Sequence, residues 1–397
     1  MAATAAPPKP GSVPPQAGPA KNAPPPQVFR VGVYETDTPD IDVTLAATTA
    51  AQKLGTFKLS PNGWLSGIWC FFQLTVTGGT YTASGDNPWS GIQKVTFRDV
   101  GNREIIGPLT GYEWFVVNKY GGYWAANPDP RSGASGFQIP GTAGTVTQFS
   151  LYLPLEIVYR DTLGEIENKS SSASYTLEIY IDSMANTFGG GTFTGISWRM
   201  RANLQGYTEP EASDSHGRPF SQAPPAAGTV QYWASEIWTA SSGIGRYNQQ
   251  NGIGYSIRNL AYIAYDNANG TRATGWNFGV APETGDWPDP STLSFGKVQL
   301  FQRPAVMWQN LMCRWFGWSS ASATSDAFMA PENGVFFQAF NREFDGTAGN
   351  ELRNGYLVTK AGNVLQISGT MAAAANVHVL TNYIVPPGND AAKLRAR

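Results

Sequence analysis

Several stretches of the chain alternate apolar and polar residues with a period of two, as a strand with one buried face does. In Phe149-Ser150-Leu151-Tyr152-Leu153-Pro154-Leu155-Glu156-Ile157 the odd positions are apolar and the even ones mostly polar or surface-tolerant. Pro154, which has no N–H for a ladder, marks an edge or a bulge. Tyr175 to Asp182 repeats the pattern, as does Phe72-Gln73-Leu74-Thr75-Val76-Thr77 before Gly78-Gly79. Further on, 355–359, 364–368 and 376–385 read as strands, with a turn at 360–363 between the first two. Helical periodicity is sparse. Tyr112 to Lys119 reads as one short helix, and Trp308, Leu311, Met312 and Trp315 share a helix face after Pro304.

With 44 Gly and 28 Pro as punctuation, the chain reads as many short strands joined by loops, which predicts β-sandwiches. Residues 1–28 differ in kind from the rest. They are nearly all Ala, Pro, Gly, Ser and Gln, carry Lys9 and Lys21 as their only charges, and cannot build a core. Their proline runs favour an extended arm, either a passive terminus or a segment that orders between neighbouring copies. A Pro-rich polar stretch at 209–228 divides the remainder into comparable halves, 29–208 and 229–397, each with one short helix among strands. No repeat of roughly 34 to 50 residues is visible.

Composition sharpens the picture. Charged residues are 14% of the 397, against roughly 25% in an ordinary soluble domain. Aromatic residues are 13% and include 13 Trp and 17 Tyr. Interface cores share this bias, so much of the subunit surface is expected to be covered by other copies. The alternative is a carbohydrate-binding surface of aromatic platforms. A net charge of −2 without a basic block argues against direct nucleic-acid binding. Without an apolar span or a secretory signal, the sequence predicts a soluble, non-exported product. Cys70 and Cys313 sit among apolar neighbours and are read as buried small hydrophobes, not a disulfide.

Candidate chemistry is thin. The only histidines, His216 in the linker and His378 in an alternating strand, match no metal-ligand spacing. No nucleophile elbow or phosphate-binding loop is present, and Gly189-Gly190-Gly191 reads as a strand-connecting loop. Asp37, Asp40 and Asp42 lack the other ligands of a calcium loop and read as a solvated turn. Asn269-Gly270-Thr271 reads as a turn. Paired carboxylates for glycoside cleavage leave no mark in sequence, because their separation is spatial. No catalytic residue, cofactor or metal is assigned.

Three segments carry a resemblance. They are Gly91 to Asp99 followed by Tyr112 to Asn118; Leu153-Pro154-Leu155-Glu156-Ile157-Val158-Tyr159-Arg160-Asp161-Thr162-Leu163-Gly164; and Gly334 to Phe337 through Asn341-Arg342 to Thr381-Asn382-Tyr383. In pattern, order and layout the whole chain resembles the double jelly-roll major capsid proteins of tectivirus-type bacteriophages, which contain a membrane and double-stranded DNA. The resemblance implies an all-β chain of two consecutive eight-stranded jelly rolls and no active site. It also implies a homotrimer forming a pseudo-hexagonal tile of an icosahedral virion shell, made in the host cytoplasm. Partners would be further copies, penton and minor capsid proteins, and the internal membrane. Lys9 and Lys21 in the arm, and Trp276 and Trp287 in the loop 275–290, become candidates for assembly contacts. The Ala/Pro-rich arm departs from the helix-forming, Gln-rich arm of the family, so a membrane-facing role does not carry over to it.

Two other readings predict different behaviour. A carbohydrate-binding or glycoside-cleaving β-sandwich would work as a monomer. A minor spike or vertex protein of the virion would share the fold but occur in few copies.

Overall fold

The computed structural model describes residues 33–82, 86–123, 146–157, 164–209 except 189 and 193, 230–267, 287–318, 330–340 and 355–385, with isolated positions at 211, 213, 216, 217, 270 and 272. The first half contains β1 (Glu35–Ala46), β2 (Gln52–Lys58), β3 (Trp64–Thr77), β4 (Tyr81–Thr82), β5 (Ile92–Arg98), β6 (Glu104–Leu109), β7 (Val146–Pro154), β8 (Ile166–Glu167), β9 (Thr176–Ile181), β10 (Gly190–Gly191) and β11 (Gly195–Tyr207). The second contains β12 (Val230–Ala240), β13 (Gly243–Asn248), β14 (Ser256–Asp266), β15 (Ser291–Phe295), β16 (Val298–Arg303), β17 (Val335–Ala339), β18 (Leu357–Val358), β19 (Leu365–Met371) and β20 (Ala375–Val385). Helix α1 (Gly111–Tyr120) follows β6, the one-turn α2 (Met184–Thr187) follows β9, and α3 (Ala305–Phe316) follows β16.

The two halves share one topology. Setting aside the two-residue strands, each has eight strands. In the first, one sheet runs β1-β11-β3-β7 and the facing order is β2-β9-β5-β6. In the second, the orders are β12-β20-β14-β17 and β13-β19-β15-β16. Counted along the chain, both read first-eighth-third-sixth and second-seventh-fourth-fifth, which is a jelly roll. The chain is therefore a double jelly roll, a relation that the divergent sequences of the halves conceal. In each half the longest helix lies between the fifth and sixth strands.

The expected strands appear with shifted ends. The stretch from Phe149 belongs to β7, an edge strand that stops at Pro154 as a missing donor requires. Phe149, Leu151 and Leu153 face the core, fully buried, beside Phe72, Trp198 and Met200. The predicted helices are α1 and α3. α1 opens with a capping box in which Thr110 Oγ1 accepts from Glu113 N–H at 3.2 Å and Glu113 Oε2 accepts from Thr110 N–H at 2.6 Å. α3 closes at Gly317, whose φ of 63° is the left-handed cap that glycine adopts most easily.

Three expectations need correction. Asp37, Asp40 and Asp42 lie in β1 and not in a turn: Asp37 pairs with Gln205, Asp40 sits at a register shift, and Asp42 stands opposite Arg201 and bonds Arg199. Gly190 and Gly191 pair with Thr82 and Tyr81 as a short ladder; Gly189 lies outside the described residues. Cys70 is buried, but Cys313 is only half-buried on α3.

Candidate functional site

Among the described residues, no group of three or more His, Cys, Asp or Glu side chains could hold a metal ion. His216 is exposed. Asp40 accepts from the N–H of Ser60 at 3.1 Å. Asp42 accepts from Arg199 Nε at 2.9 Å and Nη2 at 2.7 Å, and from Arg201 Nε at 3.2 Å. The Arg199 hydrogen bond holds the Asp42 carboxyl below its usual range. Asp40 and Asp42 are thus both hydrogen-bonded within the first jelly roll.

The best-built surface is the internal one where the halves meet. α1 is buried along its whole length, and its two faces serve different halves. Trp114 Nε1 and Asn118 Nδ2 each donate to the Tyr152 carbonyl at 2.7 Å, and Phe115 stacks on Trp89 with centroids 3.8 Å apart. The opposite face reaches the second half. Glu113 Oε1 accepts from Ser235 Oγ at 2.6 Å and lies 2.8 Å from His378 Nδ1. The Tyr120 ring packs against Phe337, and its hydroxyl accepts from Glu332 N–H at 2.7 Å. Beside α1, Ile106 of β6 bridges in parallel to Trp233 of β12, joining a sheet of each half into one of nine strands.

A buried ionic chain crosses the same junction. Glu332, with no exposed area, contacts Lys119, accepts from Tyr112 Oη at 3.3 Å and lies 4.0 Å from the Arg272 guanidinium. Arg272 Nε in turn donates to Asp86 at 2.7 Å. Charges so placed stabilise only when every partner is present, so they fix how the halves sit together.

The outer faces of the two equivalent sheets then contrast. In the second half the row Phe337, Ala261, Leu380 and Ser235 runs across β17, β14, β20 and β12 under α1. In the first, the row Ser150, Phe71, Arg201 and Asp42 crosses β7, β3, β11 and β1, with Ser150 buried and the other three exposed. A groove of about 350 Å³ lies there, lined by Phe71, Gln73, Gln148, Arg199, Arg201 and Asn203. β16 is an edge strand with Val298 and Leu300 exposed, and Met307 of α3 is exposed beyond it.

Lys9, Lys21 and Trp276, the predicted assembly residues, lie outside the described residues. Trp287 is inside the second half's own core, 2% exposed and stacked on Phe336 at 4.0 Å, with Trp308 edge-on at 6.1 Å. Its ring is committed to the subunit interior, which corrects its placement at a subunit contact. Sequence reading missed Asp86, Arg272 and Glu332, since their pairing spans more than 180 residues for Arg272 and Asp86. Lys119 in the mostly apolar run Trp114 to Tyr120 is the one local hint of a buried counter-charge.

No protein-family model matches the chain, and no curated protein matches it. Solved structures do. A chain of the Sulfolobus turreted icosahedral virus matches at TM-score 0.59 and 13% identity, over 92% of this chain and 93% of that one. The major capsid protein P2 from bacteriophage PM2 matches at TM-score 0.52 and 10% identity, over 90% and 99%. The PBCV-1 virus capsid matches at 0.51 and 10% identity, over 89% and 94%. The resemblance to double jelly-roll major capsid proteins is thus a likeness of fold that spans nearly the whole of both chains.

Proposed function

We propose that this chain is a major capsid protein, the repeated structural subunit of an icosahedral virion shell. The observation that carries the reading is the matched pair of jelly rolls, in one chain and in one topology, over nearly the full length of capsid subunits of the same fold. Three copies would place six similar sandwiches around one axis as a pseudo-hexagonal tile. The charge-poor, aromatic composition supports this, because a tile and its lattice cover the flanks of each subunit. No enzymatic role is assigned to it.

In this reading residues 1–28, with Lys9 and Lys21, form an arm that orders between copies, 209–228 links the jelly rolls 29–208 and 229–397, and Trp276 lies in a contact loop. Penton and minor capsid proteins, and an internal membrane as in tectivirus-type phages, are the further partners proposed. The test is the native mass of the purified full chain by light scattering. A trimer of 42.7 kDa subunits, or shell-like particles, supports the reading. A monomer at every concentration, especially one that binds glycans, overturns it in favour of the carbohydrate-binding sandwich.

A further inference from the structure

α1 carries one acid and one base, and both reach the second jelly roll. Lys119 meets Glu332, so its counter-charge is fixed. Glu113 is placed differently. Its side chain is 3% exposed, and it is surrounded by the Thr110 N–H at 2.6 Å, Ser235 Oγ at 2.6 Å and His378 Nδ1 at 2.8 Å. A carboxylate enclosed this deeply needs a counter-charge as well as hydrogen bonds. Of these three partners only His378 can supply one, and only when its imidazole holds a second proton.

The surroundings of His378 leave that proton to Glu113. β20 sets His378 between Ile237 of β12 and Ile263 of β14, both apolar. The Tyr265 ring of β14 lies 4.8 Å away; burial, and after it the charge of Asp86, push its phenol well above the ordinary value, so it stays neutral where histidine titrates. Asp86, which hydrogen-bonds Tyr265, is itself engaged by Arg272 at 2.7 Å. Glu236 and Asp266, next in sequence to Ile237 and Tyr265, turn to the opposite face of the sheet, where Glu236 accepts from Tyr247. The His378 side chain is 19% exposed, so protons reach it from solvent while the carboxylate stays covered.

We propose that His378 and Glu113 form a proton-operated latch between the two jelly rolls: protonated His378 closes an enclosed ion pair across the junction, and neutral His378 leaves a hydrogen bond. In acid, two ion pairs of opposite polarity clamp α1 to the second jelly roll, Lys119 with Glu332 and Glu113 with His378. In alkali the first remains alone. A proton held more tightly by the folded chain than by the unfolded one stabilises the fold, so the junction tightens as pH falls through the histidine range and slackens as pH rises through it. The latch goes beyond the capsid-subunit reading. It lies within one chain and holds whether or not copies assemble.

The test is urea unfolding of the full chain at about pH 5.5 and about pH 8, either side of the histidine range, in wild type, His378→Asn and Glu113→Gln. Asparagine keeps a donor for Glu113 but never ionises, and Glu113→Gln removes the charge the proton answers. Near-UV circular dichroism checks that each variant keeps its tertiary packing. A charge-assisted hydrogen bond is roughly twice as strong as a neutral one, so between the higher and the lower pH the wild-type unfolding constant should fall about tenfold further than that of either variant. A variant that follows the wild-type pH dependence to within about twofold overturns the inference. His216→Asn, at an exposed linker position, should keep the wild-type profile, and a pH dependence that disappears with His216 instead overturns the assignment. A measurement on the wild type covers variants that fail to fold. Diethyl pyrocarbonate acylates neutral imidazole, so labelling of His378 relative to His216, read by mass spectrometry, should drop as pH falls. A constant ratio overturns the latch. Each of these outcomes leaves the capsid-subunit reading to its own test, the native mass.

Discussion

Replacing Lys119 with methionine should destabilise the junction between the jelly rolls far more than the loss of one surface charge would. The Lys119 side chain is 4% exposed and the carboxylate it contacts, Glu332, is fully enclosed. Without the ammonium, that carboxylate has no water to take over. Arg272, at 4.0 Å, already donates to Asp86, and Tyr112 supplies a neutral hydroxyl at 3.3 Å. Breaking a buried pair by removing one partner costs about 3–5 kcal/mol, and the remaining guanidinium and phenol should bring Lys119→Met toward the lower end, about 3 kcal/mol. For a cooperative unit of 150–250 residues each kcal/mol moves Tm by about 2–4 °C, so the melting transition should fall by roughly 6–12 °C. The second arm of the cycle is Lys119→Met/Glu332→Gln, which removes the stranded charge along with its partner. It should recover at least about 1 kcal/mol relative to Lys119→Met. Thermal and urea unfolding followed by tryptophan fluorescence reads both. A loss below about 1 kcal/mol for Lys119→Met, or a double variant less stable than Lys119→Met, would refute the reasoning.

Other residues give independent checks. Gly107, in β6 beside the bridge to β12, has φ 98°, and a Cβ there would strike the Val95 carbonyl; Gly107→Ala should cost about 1–3 kcal/mol in urea unfolding, and a neutral result contradicts the packing. Burial pushes the Cys70 thiol upward and leaves it no route to solvent, whereas Cys313 is half-buried. A thiol reagent on the native chain should therefore modify Cys313 first and Cys70 only on unfolding, with mass spectrometry assigning the site. Burial raises the Tyr175 and Tyr232 phenols from 10 to about 12. A raised folded-state pKa means their contribution to stability is intact below pH 10 and is lost as pH climbs through about 12. Phenolate absorbance in Tyr175→Phe and Tyr232→Phe difference titrations should show both groups ionising well above the denatured chain; titration near 10 in the folded state counts against their burial.

Much of the fold was legible because its signals are local. The alternation in β7, β9 and β20, the Pro154 stop and the 360–363 turn each follow from a few adjacent residues, and so does α1. α1 has no polar face along Tyr112 to Tyr120, which suits a helix covered on both sides. What was not legible is non-local. Asp37, Asp40 and Asp42 look like turn residues one by one, yet Asp42 belongs in a strand because Arg199 and Arg201, more than 150 residues away, stand opposite it. Trp287 sits in a proline-rich loop sequence that suggests a contact residue, but Phe336 and Trp308 pack a core around it. The candidate surfaces are the hardest case. Phe71 next to Phe72, and Leu300 next to Phe301, differ only in which side of a sheet they face, and register across the sheet decides that.

Electron cryo-microscopy of the full-length assembled protein decides whether copies of this chain close into a tile of six similar jelly rolls. Threefold particles with a six-sided outline are the expected result. Isolated monomers, or a twofold dimer, would overturn the capsid-subunit reading.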